Sequence, residues 1–334
     1  MRRILVLAAM LVLALALSAQ AAQRLTYASF FPPTHVQSKL AKQWCAEVEK
    51  RTDGEVAVDY FPGGTLVKAA QTFDGVVHGM ADVGFSVLAY SRGRFPVMAA
   101  VDLPLGYPSG EAATEVANAV YDEFQPKAFD QVKVMYFHAH GPGLLHTKGG
   151  KVDELADMKG LKLRATGNSA RLVEALGGTP VAMSMPDSYQ AIQKGVVDGG
   201  MYPVETNKGW NMAEVVDYMT ESHPVAYTTT FFVVMNKARW QSISEKNRQA
   251  IEAINREWAD KHATAWDESD AEGMEFFKAQ GGEVVPLKAG QAETWKAAAE
   301  PMLENYVREA DSKGVDGRAV LEFTRKSLTE AKGE

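Results

Sequence analysis

The stretch that most constrains the fold of this chain is residues 160–203, where short β-rich runs alternate with helix-like segments. The β-rich runs are 161–166, 179–184 and 196–202, and the helical patterns between them are 168–178 and 186–195. Asn168 or Ser169 is the predicted N-cap of the first helix, and Pro186 lies in the first turn of the second. Three strands joined by two helices predict a mostly parallel sheet with right-handed crossovers.

Ligands of such sheets bind beyond the carboxyl ends of the strands. Arg164 lies near the end of the first strand, Met185 follows the second, and Tyr202 ends the third. A guanidinium presents a planar fork of donors that matches a carboxylate. By position alone, Arg164 is either the anchor of an organic acid or an ordinary surface or ion-paired arginine.

The same alternation recurs over residues 24–87, which predicts a second α/β lobe. GPG at 141–143 interrupts the pattern and indicates the first crossing between the lobes, while the apolar run 227–236 is a candidate for the return crossing. The chain length of 334 residues also favours two domains. We expect an α/β fold with two lobes. The predicted division is 1–22 as a signal peptide, 23–139 plus about 230–260 as lobe I, and about 140–229 plus about 261–334 as lobe II.

Residues 242–282 predict one long helix, capped by Ser244 and ended by Gly281. A helix of ~35 residues is ~50 Å long, which exceeds one lobe, so it is expected to span both. Gly273 offers a site for a bend. One face of this helix is apolar or aromatic and carries Ile251, Ile254, Trp258, His262 and Trp266.

The N-terminus has the pattern of a signal peptide. Arg2 and Arg3 precede an apolar run that is short for a membrane span, and Ala19-Gln20-Ala21 fits a cleavage site. The alternative is a membrane anchor, but no stop-transfer charges follow. The signal peptide predicts an exported, periplasmic protein. Cys45 is the only cysteine, so no intrachain disulfide can form. The formal charge of −7 argues against a nucleic-acid partner.

The ordered motifs in this sequence resemble the solute-binding proteins of tripartite ATP-independent periplasmic (TRAP) transporters, the DctP-like family. The resemblance rests on DMKGLKLR ending at Arg164, ALGGTPVAM, the Asp187-Ser188-Tyr189 site and GVVDG at 195–199. It implies the two-lobe α/β fold of periplasmic binding proteins, with a helix that spans both lobes. It also implies that Arg164 fixes the ligand carboxylate. It also implies a membrane permease as partner, no cofactor and no enzymatic activity.

Four positions depart from the polar pattern of sialic-acid-binding members of that family: Phe30, Val87, Pro142 and Tyr202. Each replaces a polar group, so a second carboxylate or a polyol would leave buried polar atoms unpaired. The sequence therefore predicts a monocarboxylate with an aromatic or bulky apolar body, with a C4-dicarboxylate as the alternative. The predicted wall, some of it ordinary core, consists of Phe30, Phe31, Phe85, Val87, Tyr90, Met185 and Tyr202.

Polar residues complete the list of site candidates. His35 and His140 are predicted to reach the ligand, and Glu205 is either an acceptor for an indole N–H or amine or a solvated loop acid. His138, His140 and His146 raise the alternative of an exported metal-binding protein, although no acidic or cysteine ligand completes the set. A secreted α/β enzyme is the third class, but the sequence lacks the common catalytic motifs of hydrolases, nucleotide-binding enzymes and metalloproteases.

Overall fold

The computed structural model describes residues 22–333, so the predicted signal peptide lies outside the described residues apart from Ala22. Within this range no helix has the length and apolarity needed to cross a bilayer. The strands are β1 (Gln23–Ser29), β2 (Val56–Phe61), β3 (Val83–Val87), β4 (Val132–Ala139), β5 (Gly143–Thr147), β6 (Lys162–Ala165), β7 (Thr179–Ala182), β8 (Gly199–Pro203), β9 (Tyr218–Thr220), β10 (Thr230–Asn236) and β11 (Glu283–Val285). The α-helices are α1 (Val36–Arg51), α2 (Thr72–Val77), α3 (Gly110–Phe124), α4 (Gly167–Ala175), α5 (Met185–Gln193), α6 (Thr206–Gly209), α7 (Lys237–Gln241), α8 (Glu245–Ala279), α9 (Gln291–Ala299), α10 (Pro301–Ser312) and α11 (Gly317–Ala331).

Two sheets organise these elements. The first has the order β2-β1-β3-β10-β4, in which β1 is parallel to β2 and β3 and β10 is antiparallel to both of its neighbours. The second has the order β11-β9-β5-β8-β6-β7. Its strands β6, β7 and β8 are parallel, joined by α4 and α5, which confirms the α/β unit predicted for residues 160–203.

The start of α4 differs by one or two residues from the prediction. Its N-cap is Thr166, which exchanges hydrogen bonds with Ser169 in a capping box. The predicted caps Asn168 and Ser169 therefore lie in the first turn. Because this turn follows β6 directly, it brings the backbone after Arg164 to the carboxyl edge of the second sheet.

The chain makes short crossings between the sheets after β4 and before β10, and it crosses again along α8 from β10 to β11. The two short crossings touch through a bridge between Gly143 and Tyr227. A Cβ atom on Gly143 would lie 2.4 Å from the Tyr227 ring. The glycine of the GPG break is therefore required by this close approach, which keeps the crossings side by side.

Helix α8 contains 35 residues, and the Ser244 side chain caps it by accepting from the Asn247 N–H. It packs against α1 and β4 beside the first sheet and against α6 and β11 beside the second, so it spans both. Gly273 serves a close approach rather than a bend, since α8 is continuous there and a Cβ would lie 2.4 Å from the Val204 carbonyl oxygen.

The C-terminal helices divide between the layers of the two sheets. Helix α9 packs beside the second sheet, where Trp295 is buried with Leu163 and Leu172. Helix α11 packs against α3 of the first sheet, α10 packs against α11, and Leu303 and Leu321 belong to the same core as α3. The predicted assignment of residues 261–334 to lobe II stays a prediction.

Asp102 gives the fold a pH dependence. Its carboxylate accepts hydrogen bonds from the Thr230 N–H at 2.9 Å and the Thr230 hydroxyl at 2.7 Å, at the start of β10. Burial raises the pKa of Asp102 to about 7, against the lowering effect of these hydrogen bonds. Because the folded pKa exceeds the unfolded value, near 4, ionised Asp102 costs stability above pH 7, and this cost is relieved as the pH falls from 7 towards 4.

We therefore expect the wild type to gain stability relative to Asp102→Asn as the pH is lowered from 8 to 5. Asparagine keeps the acceptor oxygen but not the charge. Urea unfolding of both proteins at each pH measures the difference, which should change by about one to a few kcal/mol. A difference that stays constant across this range would contradict the assignment.

Candidate functional site

A cavity lies between the two sheets, at the carboxyl ends of β6 and β8, and holds about 420 Å³ of space, part of it continuous with solvent. Strand ends, both crossings, the turn around α6 and helix α8 contribute to its wall. Its lining residues are Phe30, Phe31, Val87, Tyr90, His140, Arg164, Thr166, Met185, Tyr202, Pro203, Glu205, Thr206, Trp210, Tyr227, Thr229, Phe231 and Trp266.

Arg164 is the cationic group of this cavity and is only 5% exposed. Its Nη1 donates to the Met201 carbonyl oxygen at 3.2 Å. Among residues 22–333, no carboxylate oxygen lies within 4.0 Å of its guanidinium, and Nε, which is fully buried, has no acceptor. Within the described residues, no hydrogen-bond acceptor is found for the edge formed by Nε and Nη2, and such an edge can bind a carboxylate through two hydrogen bonds.

The residues near Arg164 are neutral. Burial raises the pKa of Tyr227 to about 12 and keeps Tyr90 and Tyr202 protonated, while the nearby Arg164 charge opposes these shifts. Burial also lowers the pKa of His140 to about 4, although its hydrogen bond with the Gly141 carbonyl oxygen opposes that shift. The charge of Arg164 is thus not balanced by its neighbours, which suits an anionic ligand.

Aromatic rings form much of the remaining wall. Phe30 stacks on Phe31 with ring centroids 4.4 Å apart, and Trp210 lies parallel to Phe30 at 6.1 Å. Phe231 stacks on Trp266 at 4.9 Å. These faces can enclose a flat apolar body, and offset-stacked rings are favoured over other contacts of equal area.

Glu205 is a buried carboxylate in the same wall, 2% exposed. Its Oε2 lies 3.0 Å from His35 Nε2. His35 caps α1 by accepting the Gln37 N–H at its Nδ1, so its proton sits on Nε2 and is donated to Glu205. The interpretation of Glu205 as a solvated loop acid is therefore wrong.

Asp270 on α8 supports Glu205 from behind. It accepts the Glu205 N–H at 2.7 Å through Oδ1. Burial raises the pKa of Asp270 well above its usual range, with the Glu205 charge adding to the effect. The hydrogen bond to Oδ1 of Asp270 holds the Glu205 backbone in place.

Nine of the residues predicted for the site line the cavity: Phe30, Phe31, Val87, Tyr90, His140, Arg164, Met185, Tyr202 and Glu205. Phe85 and His35 do not. Phe85 is fully buried behind the wall against Phe31 and Phe231, and His35 lies behind Glu205. Both belong to the layer that supports the wall.

Sequence reasoning missed several lining residues, chiefly Trp210, Tyr227, Phe231 and Trp266. Three of them lie in segments that were interpreted only as a crossing strand or a helix face. The available signal was weak: Trp210 follows Glu205 closely, and Trp266 belongs to the aromatic stripe of α8. Apolar periodicity marks burial but does not separate core from cavity wall.

Hydrogen bonds close the cavity between the sheets. The Met185 N–H donates to the Tyr90 hydroxyl at 2.9 Å, and Asn168 Nδ2 donates to the Ala99 carbonyl oxygen at 2.7 Å. Each bond joins an element of the second sheet to the layer of the first. These two bonds hold the layers of the two sheets together beside the cavity.

The three histidines considered for metal binding, His138, His140 and His146, contact different groups. His138 stacks on His262 at 4.3 Å, and His146 stacks on Tyr202 at 4.2 Å. Only His140 lines the cavity. In the described part of the chain, no three histidine, cysteine or acidic side chains group as metal ligands would.

Comparisons with known proteins agree with this geometry. Residues 27–310 match the family model of DctP, described as bacterial extracellular solute-binding protein, family 7. A TRAP periplasmic solute binding protein from Desulfovibrio salexigens, solved as an open complex, is 34% identical and superposes with a TM-score of 0.82. That match covers 94% of this chain and 98% of the other.

Two further solved structures hold aromatic acids. A marine metagenome TRAP solute binding protein specific for aromatic acid ligands, in complex with 3-hydroxybenzoate, is 28% identical, with a TM-score of 0.88 over 93% of this chain and 99% of that one. A TRAP periplasmic solute binding protein from Bordetella bronchiseptica, with bound (R)-mandelate and (S)-mandelate, is also 28% identical. Its TM-score is 0.85, over 92% of this chain and 99% of that chain.

Proposed function

Since this chain belongs to the DctP family of bacterial extracellular solute-binding proteins, whose matched structures are TRAP solute-binding proteins, we propose that it captures an aromatic monocarboxylate in the cavity at Arg164. The family serves transport rather than catalysis.

The observation that carries this proposal is the open Nε–Nη2 edge of Arg164. A buried guanidinium without a carboxylate partner is unfavourable unless a ligand supplies one. Two charge-assisted hydrogen bonds of ~1.5–3 kcal/mol each would provide a large part of the ~8 kcal/mol of a micromolar affinity. Burial of an apolar body would provide the rest.

The aromatic character of the ligand follows from the wall opposite that charge. Phe30, Phe31, Trp210, Phe231 and Trp266 offer ring faces and few polar atoms. The two matched proteins that are 28% identical hold 3-hydroxybenzoate and mandelate, which supports the same class here. A C4-dicarboxylate is disfavoured because the other charged group of the wall, Glu205, would repel a second carboxylate.

Delivery completes the proposed role. We infer that the precursor is exported through the signal peptide at 1–22 and that the mature protein presents its loaded, closed form to a TRAP-type membrane permease. Closure buries the ligand between the sheets, so the permease can distinguish loaded from empty protein by shape.

A thermal-shift screen of organic acids tests the ligand class. A ligand present at about 100 times its dissociation constant should stabilise the protein by ~2.7 kcal/mol. We expect benzoate, phenylacetate or mandelate analogues to raise the unfolding temperature more than succinate or malate. Stronger stabilisation by a dicarboxylate than by every aromatic acid would refute the aromatic assignment while leaving the transport role intact.

A further inference from the structure

Glu205 is a charged group of the cavity that the proposed carboxylate clamp does not use. No nitrogen of Arg164 lies within 4.0 Å of it, and in residues 22–333 its only basic contact is the imidazole of His35, whose Nδ1 accepts a backbone N–H and so carries no proton. A carboxylate that is 2% exposed and lacks a cationic partner is costly to bury unless its oxygens accept hydrogen bonds.

One oxygen is satisfied by the protein. Oε2 accepts from His35 Nε2, and the position of His35 is fixed because its Nδ1 caps α1. The approach is tight, since a Cβ on Gly209 would lie 2.4 Å from Oε2 and 2.7 Å from His35 Nε2. Glycine at 209 therefore leaves room for this pair and nothing larger on that side.

The other oxygen, Oε1, has no hydrogen-bond donor among the described residues. Asp270 does not supply one, because its contact is with the Glu205 backbone N–H. The cavity wall thus carries two unpaired groups: the Nε–Nη2 donors of Arg164 and the acceptor Oε1 of Glu205. The two groups do not contact each other. Between them the wall is mostly aromatic.

We propose that Glu205 is a specificity-determining residue that selects aromatic carboxylates bearing an O–H or N–H donor on the ring, such as phenols or indoles. The inference rests on the proposed function and narrows its ligand. The ring donor hydrogen-bonds Oε1 while the ligand carboxylate occupies the Nε–Nη2 edge of Arg164. An unsubstituted ring would leave Oε1 desolvated and unpaired, and a methoxy group would place an acceptor against it.

The first test uses the wild-type protein and calorimetry with phenylacetates. We expect the better-placed of 3- and 4-hydroxyphenylacetate to bind roughly ten- to a hundredfold more tightly than phenylacetate and than its own methoxy analogue, as for a hydrogen bond to a charged group. If phenylacetate binds as tightly as both hydroxylated acids, the selecting role of Glu205 is overturned although the proposed function stands. If no aromatic acid binds while aliphatic acids do, both fail together.

The second test is Glu205→Gln, with Glu214→Gln as the matched control. Glu214 is exposed and accepts only from Tyr189. Glutamine can still accept from His35, but its amide then offers a donor where Oε1 was. The hydroxyl preference should be lost in Glu205→Gln, and methoxy analogues should gain affinity relative to hydroxyl ones.

The Glu214→Gln control should keep the wild-type order of affinities. A hydroxyl preference that persists in folded Glu205→Gln, as checked by its unfolding temperature, would overturn the proposal. Should that variant fail to fold, the wild-type series alone decides, because it compares ligands on one unaltered protein.

Discussion

Replacing Arg164 by alanine is expected to weaken binding of the carboxylate ligand by roughly 2–5 kcal/mol, because it leaves a buried anion without its partner. Arg164→Lys should also bind poorly. A lysine ammonium is a compact, strongly hydrated charge and cannot copy the two parallel hydrogen bonds of the Nε–Nη2 edge. Calorimetry with the best acid from the screen measures both losses.

The control for these variants is Arg24→Lys. Arg24 pairs with Asp59 on the surface, where its side chain is 68% exposed, so its substitution should leave affinity unchanged. Wild-type-like affinity in either Arg164 variant would remove that residue from the ligand contacts. Equal losses in Arg24→Lys and Arg164→Lys would show that the loss does not arise at the ligand site.

Gly273→Ala is expected to destabilise the protein by ~1–3 kcal/mol through overpacking. The added methyl would lie 2.4 Å from the Val204 carbonyl oxygen and 2.8 Å from the Glu205 Cα. Both are backbone atoms, so relieving the overlap requires a backbone shift. The loss would occur although alanine is the better helix former by ~1 kcal/mol. Because the displaced backbone carries Glu205, ligand affinity should fall as well.

Urea unfolding with Glu268→Ala as the control measures this effect. Glu268 is exposed on the same helix, and its substitution should change stability by less than ~0.5 kcal/mol. If Gly273→Ala were as stable as the wild type, the close packing of α8 against the end of β8 would be in error. A gain in stability would mean that helix propensity alone governs this position.

Much of the local structure follows from the sequence because its signals are local. Helix α8, Glu245–Ala279, lies within the predicted residues 242–282 and begins after the predicted cap Ser244. Alternation, helical spacing and capping residues act within a few positions, so they identify elements reliably. The parallel unit around Arg164 follows for the same reason, with the handedness of its crossovers restricting the topology.

The errors share a different physical origin. The apolar stripe of α11 predicts that this helix is packed, but it does not identify the partner, which is α3 in the structure. Phe85 and Phe31 look equally suited to a cavity wall by composition. Only their positions in the assembled sheet separate the core residue from the lining residue.

The sequence by itself determined the two α/β units, the long helix and an arginine at a strand end. It also determined that apolar residues stand at four positions where sialic-acid-binding members of the family carry polar ones. The tertiary structure decided which edge of that guanidinium stays open and which acid faces it across the cavity. Glu205 and His35 are 170 residues apart in the chain. Their pairing depends on how the sheets close on each other, which no pattern within a few residues can encode.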